Sequence, residues 1–259
     1  MNKRKKLVYI ILLSICIISL TIFSFKSLHT GTPNKTEVIS NKIVSKEIII
    51  DKSQEDIVDN TPAIPQSKVI KEINGLVSLL DLDKSLIIDL KYFSTDNFTG
   101  KKIYPTNVCV LQKATAEKLT KANEEFKKNG YKIKIWDAYR PVYVQKIFWD
   151  IVKDDRFVAN PATGGSKHNT GTAVDITLVD SMDNELKMPS KFDDFSINAY
   201  RDNSKMDGLA KKNMDYLTSI MKKSGFITIS TEWWHFEDSN FANYKVIDVD
   251  LNEFIENTK

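Results

Sequence analysis

The chain has 259 residues, enough for one or two domains, and its 27% charged and 42% hydrophobic content is that of an ordinary globular protein. A net charge of +3, with basic residues spread along the sequence, lies too near balance for nucleic acid to be the main partner. Two cysteines, Cys16 and Cys109, exclude a disulfide framework and a four-cysteine zinc site.

In chain order, Lys3, Arg4, Lys5 and Lys6 precede an uncharged stretch from Leu7 to Phe25. At about 1.5 Å per residue it is long enough for a bilayer core of about 30 Å, and it lacks the small-residue cleavage site of a signal peptide. Cys16 lies mid-span after Ile15, which excludes a lipoprotein anchor. The basic flank should stay inside, so the expectation is a single-pass protein of the cell membrane with everything after Lys26 extracytoplasmic. Residues 1–25 then form flank and transmembrane anchor, and 26–73 a polar stalk ending in "TPAIPQS", with Ser45–Ile50 as a possible short strand. Residues 74–259 form one domain.

Within that domain "SLIIDLKY", Ser85–Tyr92, reads as a strand. Leu119, Ala122 and Phe126 recur at helical spacing in Ala114–Asn129, and Gly130 stops the helix. Tyr131–Trp136 alternates polar and apolar residues as a half-buried strand does, and a helix follows Pro141 from Val142 to Val152. Thr172–Val179 is a strand, Met206–Ser224 a helix closed by Gly225, and Phe226–Ser230 a further strand. Strands and helices mix without a βαβ rhythm, so the fold class is α+β with a mainly antiparallel sheet, preceded by the N-terminal transmembrane helix.

The chain has only three histidines, and two fall in "SKHNTGTAVD" (Ser166–Asp175) and "TEWWHFE" (Thr231–Glu237). Catalytic zinc commonly takes three imidazole or carboxylate ligands and keeps one position open, which His168, Asp175 and His235 would satisfy. Gly171 allows a tight turn between the first two. Hydrolysis also needs a base, and Glu232 is the candidate. On a regular strand, positions three apart point to opposite faces, so Glu232 and His235 require an irregular backbone to share a site. Arg140, in "WDAYRP" and extended by Pro141, is placed to stabilise an oxyanion.

These motifs resemble the Ser-x-His-x-x-Gly-x-Ala-x-Asp and Glu-x-x-His pair of a zinc peptidase superfamily acting on peptidoglycan peptides. Within it, "LKYFSTDNFTG", "WDAYRP" and "KFDDF" are most similar to the D-alanyl-D-alanine dipeptidases of the vancomycin-resistance type, over about Leu86 to Phe236. The resemblance implies zinc on His168, Asp175 and His235, Glu232 as general base and acid, and Arg140 as stabiliser of the tetrahedral intermediate. It also implies that Tyr92 and Asp193 grip the substrate ammonium, and that Ser166 and Asp137 lie near the groups holding its carboxylate end. After "FDDF" the family commonly continues with a Ser-His pair, where this chain reads "SINAYRDN". The resistance enzymes work in the cytoplasm, whereas an exported domain would act on dipeptide or wall peptides outside. The implied activity is zinc-dependent hydrolysis of D-Ala-D-Ala to two D-alanines. The alternatives are a D,D-carboxypeptidase trimming peptidoglycan peptides and a non-catalytic wall-binding module.

Overall fold

Seven consecutive buried residues, Ala173–Val179, make the central strand of the protein. The structure is a computed structural model and describes residues 69–255. Its strands are β1 (Glu72–Ile73), β2 (Leu76–Ser78), β3 (Ile87–Ile88), β4 (Val110–Gln112), β5 (Lys132–Asp137), β6 (Ala173–Val179), β7 (Phe226–Thr228) and β8 (His235–Asp238). Its α-helices are α1 (Leu79–Leu82), α2 (Lys113–Lys127), α3 (Val142–Val152) and α4 (Gly208–Lys223). A five-stranded sheet has the order β3-β5-β6-β8-β7, and β1-β2-β4 form a smaller antiparallel sheet. In the larger sheet β3 runs parallel to β5, and the other pairings are antiparallel.

Residues opposed across antiparallel strands share a face, so the register sorts the sheet into two sides. Ile133, Ile135, Val174, Ile176, Leu178, Phe236 and Phe226 lie on one side. They build the core with α2, which packs on β5, and α4, which packs on β7. Helix α2 contributes Ala116, Leu119, Ala122 and Phe126 at helical spacing, and α4 contributes Ala210, Met214, Leu217 and Met221. Each large apolar side chain buried this way contributes about 1.5–3 kcal/mol. Asp207 caps α4 by accepting from the amides of Leu209 and Ala210.

The other side carries Asp175, His235 and Glu237. A register shift between Ile135 and Asp137 leaves Trp136 as the extra residue, so that Asp137 comes opposite Asp175. Strand β7 ends at Thr228 and β8 starts at His235. The irregular span between them is the break that Glu232 and His235 require.

Two expectations are corrected. The transmembrane helix is no part of this fold: no helix among the described residues is long and apolar enough to cross a membrane. The longest, α4, has 16 residues and carries four lysines, Lys211, Lys212, Lys222 and Lys223. The apolar stretch 7–25, its basic flank, and residues 26–68 of the stalk, with the expected Ser45–Ile50 strand, lie outside the described residues, whereas the end of the expected stalk carries β1 (Glu72–Ile73). At the other correction, only Ile87–Ile88 of the Ser85–Tyr92 stretch pairs as strand. The chain then leaves β5 and Tyr92 sits in a 3₁₀ turn, Lys91–Phe93, with its ring buried.

Gly171 ends the 3₁₀ turn Lys167–Thr170 in the left-handed region at φ +72°, and its carbonyl accepts from the Gln112 amide at 2.9 Å. A Cβ there would meet Leu76 Cδ2 at 2.5 Å and the Gln112 nitrogen at 3.3 Å. Gly171→Ala should therefore destabilise the protein by about 1–3 kcal/mol, read from urea unfolding. An unchanged midpoint would show that the turn relaxes without strain.

Candidate active site

His168 is fixed by the loop that carries it. The Ser166 hydroxyl accepts from the His168 amide, and the Asn169 side chain returns to the Ser166 amide, closing a capping box. This loop is stitched to the one after β5 in both directions. The Arg140 amide donates to the His168 carbonyl at 3.1 Å, and Asn169 Nδ2 donates to the Arg140 carbonyl at 2.8 Å. Strand pairing then sets Asp175 directly opposite His235.

Three donor atoms converge where these elements meet. His168 Nε2 lies 3.2 Å from His235 Nδ1, His235 Nδ1 lies 2.9 Å from Asp175 Oδ1, and His168 Nε2 lies 3.3 Å from Asp175 Oδ2. A tetrahedral ion with bonds of about 2.0–2.1 Å would hold its ligand atoms about 3.3 Å apart. All three residues are buried and could together hold a metal ion. Each ring is turned for the task. His168 Nδ1 lies 2.7 Å from the Ala138 carbonyl, which can only accept, so that nitrogen carries the hydrogen and Nε2 offers its lone pair. His235 Nε2 lies 3.3 Å from Glu237 Oε1, which leaves Nδ1 to face the centre.

The electrostatics favour a cation at this point. Burial works against charge on His235, yet hydrogen bonds to Asp175 and Glu237, with Glu232 beyond them, push its imidazole up to about 10. Burial also opposes ionisation of Asp175, but the two histidines beside it hold its carboxyl well below the usual range. A divalent ion would take the place of the proton the cluster attracts.

Glu232 Oε2 stands 3.9 Å from His235 Nδ1. Burial, opposed by His235 and reinforced by Asp175, raises its carboxyl to about 7. The Arg140 guanidinium comes within 4.0 Å of Asp175 Oδ2. It lies over the Phe148 ring at 4.8 Å and the Tyr92 ring at 5.6 Å. Across the cavity the Tyr92 hydroxyl donates to Asp193 at 3.0 Å. Burial, with Asp175 adding to it, lifts the Asp193 carboxyl well above the ordinary range. Tyr92, Arg140, Ser166, His168, Asp175, Asp193, Glu232 and His235 all line one cavity of about 200 Å³.

Asp137 is the residue that the geometry leaves out of this lining. One of its oxygens accepts from Arg140 Nε at 2.9 Å and Nη2 at 2.6 Å, the other from the Tyr104 hydroxyl at 2.6 Å and the Ala138 amide at 2.9 Å. Fully buried and fully bonded, it faces Arg140 from behind.

The profile of a peptidase family described as D-ala-D-ala dipeptidase matches residues 72–255. The chain belongs to the D-alanyl-D-alanine dipeptidase family. The D-alanyl-D-alanine dipeptidase of Escherichia coli is 37% identical over 72% of this chain and 96% of that one. Those of Enterococcus faecium and Enterococcus faecalis are 32% and 28% identical, over 57% and 63% of this chain and 83% and 91% of theirs. Among solved structures, a vancomycin-resistance D,D-pentapeptidase in complex with Zn(II) is 16% identical at a TM-score of 0.35, over 54% of this chain and 79% of that one. At that distance the likeness carries no argument.

In this dipeptidase-family site, sequence reasoning missed the residues behind the cluster. Glu237 follows His235 by two positions on the same strand face, so alternation alone could have found it. Tyr104 and Gln145 gave no local signal, although Gln145 accepts from Arg140 Nη1 at 2.8 Å and donates to the Ala159 carbonyl at 2.7 Å. Outer carboxylates that orient a ligating histidine contribute strongly to metal affinity. Glu237→Ala should therefore weaken zinc binding by about 10–100-fold in chelator competition. Wild-type affinity in that variant would mean that His235 is held without Glu237.

Proposed function

We propose that this chain hydrolyses free D-alanyl-D-alanine to two D-alanines, with zinc held by His168, Asp175 and His235. The observation that carries this reading is the Tyr92–Asp193 pair, its carboxylate half-buried, in the lining of a small cavity that also holds the metal cluster and Glu232. A half-buried carboxylate with no ion-pair partner among the described residues favours a ligand ammonium, and a free dipeptide brings one within reach of its single peptide bond. A cavity of about 200 Å³ lies below the roughly 300–1,000 Å³ of drug-sized sites, which suits a very small substrate.

When bound, zinc supplies Lewis acidity toward the scissile carbonyl and makes water more acidic. The residues of the chain do the rest. Glu232, raised by burial to about 7, takes the proton of the attacking water and returns it to the leaving amine. Arg140, locked by Asp137 and Gln145, presents a fixed guanidinium to the oxyanion that develops. Asp193 and Tyr92 hold the ammonium, and Ser166, in the same lining, serves the carboxylate end.

Two measurements test this reading on the zinc-loaded protein. Glu232→Gln should retain zinc and lose about 10²–10⁴-fold in kcat, because proton transfer accounts for that much. N-acetyl-D-Ala-D-Ala, which lacks the ammonium, should be turned over at least about 10²-fold less efficiently than the free dipeptide. Equal turnover of the two would favour a D,D-carboxypeptidase and remove Asp193 as the specificity element.

A further inference from the structure

Glu232 and His235 face one centre although they stand three positions apart, and something must hold the backbone between in its irregular path. No described residue hydrogen-bonds the Glu232 carboxylate; its one ion-pair contact among the described residues is with His235 at 3.9 Å. Its position is therefore set by the backbone that carries it. That backbone is gripped from one side chain. Arg201 Nε donates to the Ile229 carbonyl at 2.9 Å, Nη2 donates to the His235 carbonyl at 3.0 Å, and Nη1 donates to Thr218 Oγ1 at 2.9 Å. The first two bonds fasten the two ends of segment 229–235, and the third ties both to helix α4. The backbone repeats the grip: the Arg201 amide donates to the Ser230 carbonyl, and the Trp233 amide to the Ala199 carbonyl, each at 3.0 Å.

We propose that Arg201 is a positioning residue for the reaction, clamping segment 229–235 at both ends so that Glu232 is held against the metal cluster. The fork of the guanidinium is what makes this possible, because its donors diverge in one rigid plane and reach three separate acceptors. An ammonium would reach one or two. Burial lowers the guanidinium to about 10, and it remains charged at neutral pH, with Glu232 nearby favouring that charge. Its planar group also rests on the Phe236 ring at 4.8 Å, which fixes the plane in which the three bonds are made. Arg201 is not itself among the residues lining the cavity or the donors of the cluster, so it acts through the backbone of the lining residues Ile229 and His235 and, with them, Glu232.

This inference rests on the hydrolytic reading above, and its test separates the two. Wild type, Arg201→Ala and Arg201→Lys of the full chain would be compared in three ways. These are kcat and KM for D-Ala-D-Ala, zinc retained per chain after dialysis, and hydrogen exchange of the amides in 229–235. For Arg201→Ala the expected result is a fall of about 10²-fold in kcat, the usual effect of a misplacement near 1 Å. KM should stay within about threefold, since substrate binding is not what the clamp sets. Zinc should be retained, and exchange in 229–235 should quicken. Arg201→Lys should recover part of kcat and part of the protection, and it carries the test if the alanine variant does not fold. Wild-type kcat in the variants, a loss of kcat that only tracks lost zinc, or unchanged exchange in 229–235 would overturn the proposal. If the wild type itself does not cleave the dipeptide, the hydrolytic reading fails, and the exchange comparison still decides whether Arg201 holds the segment.

Discussion

The site depends on one register. Antiparallel pairing of β6 with β8 sets Asp175 opposite His235, on the face of the sheet turned away from the main core. Opposed residues have Cβ atoms about 4.5–5.5 Å apart, so the pairing alone delivers two donors to one point. A slip of one residue would send both into the hydrophobic side, where Val174 and Phe236 now sit, so the core that enforces the register also enforces the cluster. The bulge at Trp136 extends the same logic to β5. It brings Asp137 level with Asp175, and Asp137 in turn holds Arg140 within 4.0 Å of the cluster.

That convergence concentrates charge that burial disfavours. Asp175, Glu232, Asp193 and Arg140 share one enclosure with two imidazoles, and several aromatic rings close it off. Tyr92 packs on Phe148 with centroids 4.5 Å apart, and Phe98 meets Phe148 and Phe195 at 5.1 Å. Such walls keep the effective dielectric low, which raises the cost of each unpaired charge and strengthens each one that is met. Arg140 is met by Asp137 and stays charged in the pocket at little risk of moving. Glu232 is met by no hydrogen bond from the described residues, and burial, with Asp175 adding to it, raises its carboxyl. The same enclosure thus produces a fixed cation and a carboxylate of raised pKa, the two properties that the proposed oxyanion and proton-transfer roles require.

The legible part of the sequence was the part where chemistry is local. His168 and Asp175 stand seven positions apart around a glycine, and a loop entering a buried strand brings them together without distant help. The pairing of Glu232 with His235 was readable as a requirement for irregular backbone, and β8 does begin only at His235. The means of meeting that requirement was not readable. Arg201 is 34 positions from the carbonyl it binds at His235, and nothing in "SINAYRDN" announces the contact. Asp137, which the family resemblance set near the groups holding the carboxylate end, is engaged by Arg140 and by the Tyr104 hydroxyl, 33 positions away, a contact with no local signal. Ser85–Tyr92 has a strand-like composition throughout, but β5 offers a parallel edge only to Ile87 and Ile88. The rest of the stretch bends so that Tyr92 can reach Asp193, a tertiary demand that outweighs propensity.

Asp193 combines two costs in one residue. Its backbone lies at φ +55°, where a side chain other than glycine's is strained, and its half-buried carboxylate has a hydroxyl rather than a cation as its hydrogen-bond partner among the described residues. Aspartate tolerates the left-handed region better than most residues, and glycine, which would relieve the strain, would remove the carboxylate. Neither cost is needed by the sheet or the core; both make sense at a contact completed by a ligand. An incoming ammonium offsets the desolvated charge, whereas an amide nitrogen in its place leaves it unmet. On the proposed reading of Asp193, the discrimination between a free dipeptide and a longer chain would come less from an attraction added for the right substrate than from a penalty left standing for the wrong one.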